Sequence, residues 1–215
     1  MLRFAPLLLP LALANCGAIL ASIELAGRVD EAERLEALIA TADESDLAAI
    51  SDDEINQRRA NALQGIADGN PDAGMVRYNG QAAMEVPQGN NTLILSGLAT
   101  IDANFANDTI SADFSDWLGY NDGDTLANTA SGDVVFSNGV IGDEDAASNI
   151  SGDVNGTLTF KGDEYSVDGV IDGQFATFQG SEGVGGVTLD DQTTITMNGE
   201  VVPDAQFGFA GEIAD

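Results

Sequence analysis

The chain has 215 residues, of which 44 % are hydrophobic, and its 36 acidic residues face only seven basic ones, for a net charge of −29. That length suits one ordinary domain with appendages, and the apolar fraction is too high for a disordered chain. Such a surface repels phosphate backbones and anionic headgroups, so neither nucleic acid nor a bare anionic membrane is an expected partner. The excess itself points to solubility or a saline habitat more directly than to a cation site.

The first segment reads MLRFAPLLLPLALA: one basic residue, a short leucine-rich core, then small residues. This is the pattern of a secretory signal peptide, too short and too proline-broken to span a bilayer. Two processing sites compete. Leu13-Ala14-Asn15-Cys16 has the form of a lipobox, in which the cysteine is acylated and begins the mature protein. Ala12-Leu13-Ala14 also fits ordinary cleavage, which would leave Asn15 first. Asn15 departs from the small residue usual before a lipobox cysteine, but the chain's single cysteine falls where a lipobox would put it. Lipid attachment at Cys16 is therefore the expectation, with the membrane engaged through that anchor only.

Residues 23–69 follow with helical spacing. Leu25, Val29, Ala32, Leu35, Leu38 and Ile39 recur at steps of three and four. A second helix is expected from Ser51-Asp52-Asp53-Glu54, where a capping side chain precedes acids in the first turn. Its apolar face would be Ile55, Ala62, Leu63 and Ile66, and Gly69-Asn70-Pro71 would end it.

After Gly74 the period changes to two. Leu93, Leu95, Gly97, Ala99, Ile101, Ala103 and Phe105 alternate with Ile94, Ser96, Leu98, Thr100, Asp102 and Asn104, a long strand with one apolar face. Asn107-Asp108 supplies a turn, and Ile110, Ala112 and Phe114 resume the alternation. Further runs cover 133–137, 151–160, 164–177, 183–189, 193–199 and 205–213, and with 75–85 they make eight or nine strands. No helix long enough for a parallel crossover intervenes, so the sheet should be antiparallel. Strands this long and even suggest closure into a barrel, closed by Ala205, Phe207, Phe209, Gly211 and Ile213. The expected fold is mainly β: an eight-stranded antiparallel β-barrel preceded by a short helical N-terminal region. Its divisions are a signal peptide at 1–15, a helical neck at 16–72 and the barrel at 73–215. The barrel interior should be filled by side chains, with function on loops or one rim. From Asp72 onward 24 acidic residues face Arg77 and Lys161 alone. A membrane-spanning barrel is not expected, because aromatics are only 6 % of the chain and no girdle can be read.

Two stretches resemble the β-barrel domain of the transferrin-binding protein B family. One runs from Gly97 to Phe105 through a tight turn into Thr109–Phe114, similar to that family's early hairpin. The other joins Gly173-Gln174-Phe175 to Gly180, Gly183 and Gly186, then to Phe207-Gly208-Phe209 and Gly211. The resemblance covers about residues 74–215, omits the helical neck, and leaves no room for a second lobe. It implies a monomeric envelope lipoprotein of the outer membrane that captures a small ligand such as haem, or a metalloprotein. A structural or adhesive surface lipoprotein without a small ligand is the alternative.

The side-chain inventory is narrow. Histidine is absent, which removes Ser-His-Asp and Cys-His nucleophiles and histidine-held zinc, iron or haem. One cysteine makes no internal disulfide and no thiolate cage. Asn121-Asp122-Gly123-Asp124 and Gly142-Asp143-Glu144-Asp145 have oxygen ligands suited to Ca²⁺ but no calcium-hand spacing, and read as solvated turns. Tyr78, Tyr120 and Tyr165 have the chemistry to ligate haem iron, although packing is the commoner role. Trp117 reads as core or rim packing. No carboxylate pair stands out for glycoside hydrolysis. A binding protein with no catalytic residues, metal site or resident cofactor is the expectation.

Overall fold

The computed structural model describes residues 47–121, 127–142, 146–178 and 181–214. A three-residue strand β1 (Leu47–Ala49) leads into helix α1 (Asp52–Ala67). The strands of the body are β2 (Met75–Gln88), β3 (Asn91–Asn104), β4 (Thr109–Asn121), β6 (Ser131–Ile141), β7 (Asn149–Phe160), β8 (Asp163–Phe178), β9 (Ser181–Thr188) and β12 (Gln206–Ile213). Three short strands are added at the margins: β5 (Asn128–Thr129), β10 (Thr194–Met197) and β11 (Glu200–Val201).

Each body strand pairs antiparallel with the next, and β12 returns to pair with β2, Gln206 opposite Glu85 through Ile213 opposite Tyr78. The result is a closed eight-stranded up-and-down barrel, and closure leaves the body strands no long exposed edge. The alternation read from the sequence is what aims the side chains. Leu93, Leu95, Ala99, Ile101 and Ala103 of β3 are all buried.

The interior is packed with rings. Phe136, Phe209, Phe114, Phe207 and Trp117 form a continuous series, with centroids 5.3 Å apart for Phe136–Phe209 and 6.4 Å for Trp117–Phe207. A second group, Tyr78, Phe175 and Phe105, fills one end. Tilted and edge contacts of this kind add to the area buried. Trp117 lies within β4 and donates its indole N–H to the Phe114 carbonyl at 3.2 Å, so its role is core packing.

Because successive strands reverse direction, the two ends of the barrel differ. At the helix end lie the start of β2, the end of β12 and the β3–β4 turn. At the opposite end lie the β2–β3 turn at Gly89-Asn90, the β7–β8 turn at Lys161-Gly162, and β10 with β11.

α1 starts where the sequence places it. The Ser51 hydroxyl accepts from the Glu54 N–H at 3.3 Å, and Asp52, Asp53 and Glu54 occupy the positive first turn. Beyond its end, Gly69 has φ +94°, a conformation that glycine adopts at little cost.

The expected apolar face needs correction. Ile55 and Ala62 are buried, but Leu63 is 57 % and Ile66 41 % exposed. The side facing the barrel is Ile55, Arg58, Arg59 and Ala62, spaced i, i+3, i+4 and i+7, so two arginines occupy positions that a purely apolar stripe would give to hydrophobes. Ile66 comes one turn after the last buried position. A second correction concerns 193–199, which reads as a barrel strand but forms β10 and its turn. β1 is a third difference, for it pairs with β8 inside a stretch that reads as helical. The signal peptide, Cys16 and the stripe from Leu25 to Ile39 lie outside the described residues.

Candidate binding site

The helix end is closed by charge. Arg58 makes a two-pronged ion pair with Glu182 of β9, and the Tyr78 hydroxyl donates to the same carboxylate at 2.6 Å. The Arg58 guanidinium also sits 5.5 Å from the centroid of the Phe105 ring. Its pKa is raised above the ordinary arginine value, chiefly by the hydrogen bonds to Glu182. Burial, followed by the bond to Glu182, pushes the Tyr78 hydroxyl well above the usual phenol range. Next to it, Arg59 pairs with Asp108 in the β3–β4 turn and donates to the Ile141 carbonyl at 2.9 Å. The Asp52 carboxylate accepts from the Ala147 N–H at 2.8 Å. Three barrel connections are thereby tied to one helix. The arrangement plugs this end of the barrel.

The opposite end is built differently. β8 is long enough to offer one edge to two successive partners: β9 along Ile171–Phe178 and β10 along Tyr165–Asp168. The hairpin β10–β11 turns at Asn198-Gly199, with φ +52° and +81°, the two left-handed positions that a tight primed turn requires. Asn198 fixes that turn to the barrel. Its side chain donates to Asp163 at 2.8 Å and accepts from the Glu164 N–H at 3.0 Å. Ser166 and Thr196 share a hydroxyl hydrogen bond of 2.7 Å across β8 and β10.

Between this hairpin and the end of β2 lies an open cleft of about 420 Å³. Its apolar lining is Val86, Pro87, Met197, Val201, Val202 and Pro203, and Asp163 and Glu200 add carboxylates. No lysine or arginine lines it. Below it, Gln88 donates to the Tyr165 hydroxyl at 3.2 Å. Burial chiefly raises the Tyr165 pKa, with Asp163 acting the same way and Gln88 opposing.

The structure separates the tyrosines that the sequence singles out. Tyr78 lies at the plugged end, engaged with Glu182. Tyr165 is buried at the hairpin end, and Tyr120 is half-buried on β4. They do not converge on one site. Of the acidic loops, Asp122–Asp124 and Asp143–Asp145 fall outside the described residues. Among the described residues no group of three histidine, cysteine, aspartate or glutamate side chains comes together as a metal would need. No described helix is long and apolar enough to cross a membrane.

Sequence reading did not find Arg58, Arg59 and Glu182 as a set. The available signal was two of the chain's few cations standing side by side on one helix. Nor did it find the cleft, whose walls come from residues more than a hundred positions apart.

The residues behind the family resemblance sit in the barrel wall. Phe175, Phe207 and Phe209 are buried, and Gly173, Gly186 and Gly211 stand where strands crowd together. Gly180 lies outside the described residues. No family model, no curated protein and no solved structure matches the chain.

Proposed function

We propose that the chain is a lipid-anchored envelope binding protein of the transferrin-binding-protein-like type, anchored through Cys16 and holding its partner at the hairpin end of the barrel. The observation that carries this reading is the contrast between the two ends. The described chain enters at β1 and α1, so a tether from Cys16 joins the plugged end and leaves the cleft facing away. The interior is filled by aromatic side chains, which favours capture of a protein at the rim over capture of haem or another small ligand inside. Nothing in the site calls for catalysis. It offers apolar surface, the exposed Glu200 and the half-buried Asp163 rather than a nucleophile placed against a base.

The test is site-specific photocrosslinking in the producing cell. A benzophenone amino acid replaces Val201 at the cleft or, as control, Val140 on the barrel wall; both side chains are well exposed. Discrete protein adducts from position 201 and not from position 140 are expected. Adducts from neither position, or from both alike, would favour the structural reading without a defined ligand.

A further inference from the structure

At the hairpin end one seam of the barrel wall carries no strand pairing among the described residues, and the Gln88 side chain reaches across it to the Tyr165 hydroxyl at 3.2 Å and the Met197 sulfur at 3.9 Å. In the lower tier the wall runs β8, β9, β12, β2, and the β12–β2 pairing stops at Gln206 opposite Glu85. In the upper tier it runs β8, β10, β11. There β11 stands at the end of the sheet path, and no described strand pairs with its second edge. β2 continues to Gln88, paired with β3 on one side, and past Glu85 it has no described partner on the other. The cleft lies between those two edges.

We propose that this seam binds an extended peptide segment carrying basic residues between apolar ones, laid between β11 and the end of β2 as an added strand. The inference rests on the binding reading above and gives it a ligand class. An unpaired strand edge presents backbone N–H and C=O groups, which an extended segment satisfies, while alternate side chains enter flanking pockets. The pockets here are apolar, and Val201, 67 % exposed, is the most open large hydrophobic residue of the described chain. The volume of about 420 Å³ lies near the lower end for specific ligand sites and suits a few residues of extended chain.

Charge selects among partners. Glu200 and Asp163 line the cleft without a basic neighbour in the lining, and the field of the whole chain is strongly negative. A basic segment is attracted and an acidic one repelled. A second copy of this chain is a poor occupant for the same reason. On β2 Pro87 lacks an N–H, so backbone pairing of the segment falls chiefly on β11.

The test uses the purified full-length protein and a fluorescein-labelled peptide Val-Lys-Val-Lys-Val, read by fluorescence anisotropy. Saturable binding is expected, with little for Val-Glu-Val-Glu-Val. Affinity should fall about tenfold in Val201→Ser and in Glu200→Lys, and stay unchanged in Val140→Ser. All three positions are exposed, so circular dichroism should show folded protein in each case. Absence of saturable binding, equal binding of the acidic peptide, or affinity untouched by both cleft variants would overturn the proposal. Crosslinks from position 201 without peptide affinity would overturn the peptide class and leave the rim reading standing. Peptide affinity without crosslinks would support the seam as a site and contradict its proposed role in the cell.

Discussion

Arg58 of α1 and Glu182 of β9, 124 residues apart in sequence, form a two-pronged ion pair that fastens the helix over the mouth of the barrel. Their side chains are 22 % and 15 % exposed, so the pair lies between a surface ion pair and a buried one. Removing either partner strands the other in a partly desolvated site. Arg58→Ala or Glu182→Ala should therefore cost about 2–3 kcal/mol in urea unfolding. Asp108→Ala, which breaks the more exposed pair with Arg59, should cost under about 1 kcal/mol. Equal effects at the two sites would contradict the ranking.

How far this structure was legible depended on the kind of information each part needed. The wall was legible because strand alternation is local: the run from Leu93 to Phe105 carries its own face in its spacing. The same locality misplaced 193–199, since a short hairpin alternates like a stave and only long-range pairing tells them apart. α1 could be bounded from Ser51 and Gly69, yet periodicity does not report how many helical turns the partner covers. Hence Ile66 falls one turn past the barrel contact and Leu63 beside it, and both are exposed. The Arg58–Glu182 pair and the cleft depend on strand order, which no single segment encodes.

Tyr78 should stay protonated where an ordinary tyrosine ionises. In the folded protein, Tyr78→Phe should remove none of the tyrosinate absorbance that develops between about pH 10 and 11. The sign of the stability effect follows. The unfolded chain releases this proton near pH 10 and the folded chain retains it, so the unfolded state binds fewer protons above that pH. Stability from Tyr78 is therefore fully present below about pH 10 and falls as pH rises further. Unfolding of wild type and Tyr78→Phe, compared at pH 8 and pH 11, checks this. A wild type that loses no more stability than the variant over that interval would refute it.

Gly97 faces the indole of Trp117, and a Cβ there would meet the ring at 2.8 Å. The indole is enclosed by the Phe114 carbonyl and Phe207, so it has little freedom to give way. Gly97→Ala should cost about 1–3 kcal/mol by overpacking and shift the emission of the only tryptophan to the red. Unchanged emission and stability would show that the ring can move aside.

Gly173 and Gly162 should respond in opposite order to what their backbone angles suggest. Gly162 has φ +92° but open space around a new Cβ, whereas a Cβ at Gly173 would fall 2.0 Å from the Gly185 carbonyl oxygen. Gly162→Ala should cost about 1 kcal/mol from the left-handed backbone. Gly173→Ala must move two strands apart and should cost more than about 3 kcal/mol or abolish folding. Thermal unfolding of both variants checks the order, and a milder effect at Gly173 would mean the wall is looser than its packing implies.

The proposed polarity, with a tether at the plugged end and the cleft held outward, depends on an anchor at Cys16. The most direct test is the intact mass of membrane-extracted protein beside that of Cys16→Ala. A mature chain beginning at Cys16 with added acyl mass is expected, with loss of that mass and of membrane retention in the variant. A chain beginning at Asn15 without lipid would contradict it and leave a soluble barrel with no fixed orientation.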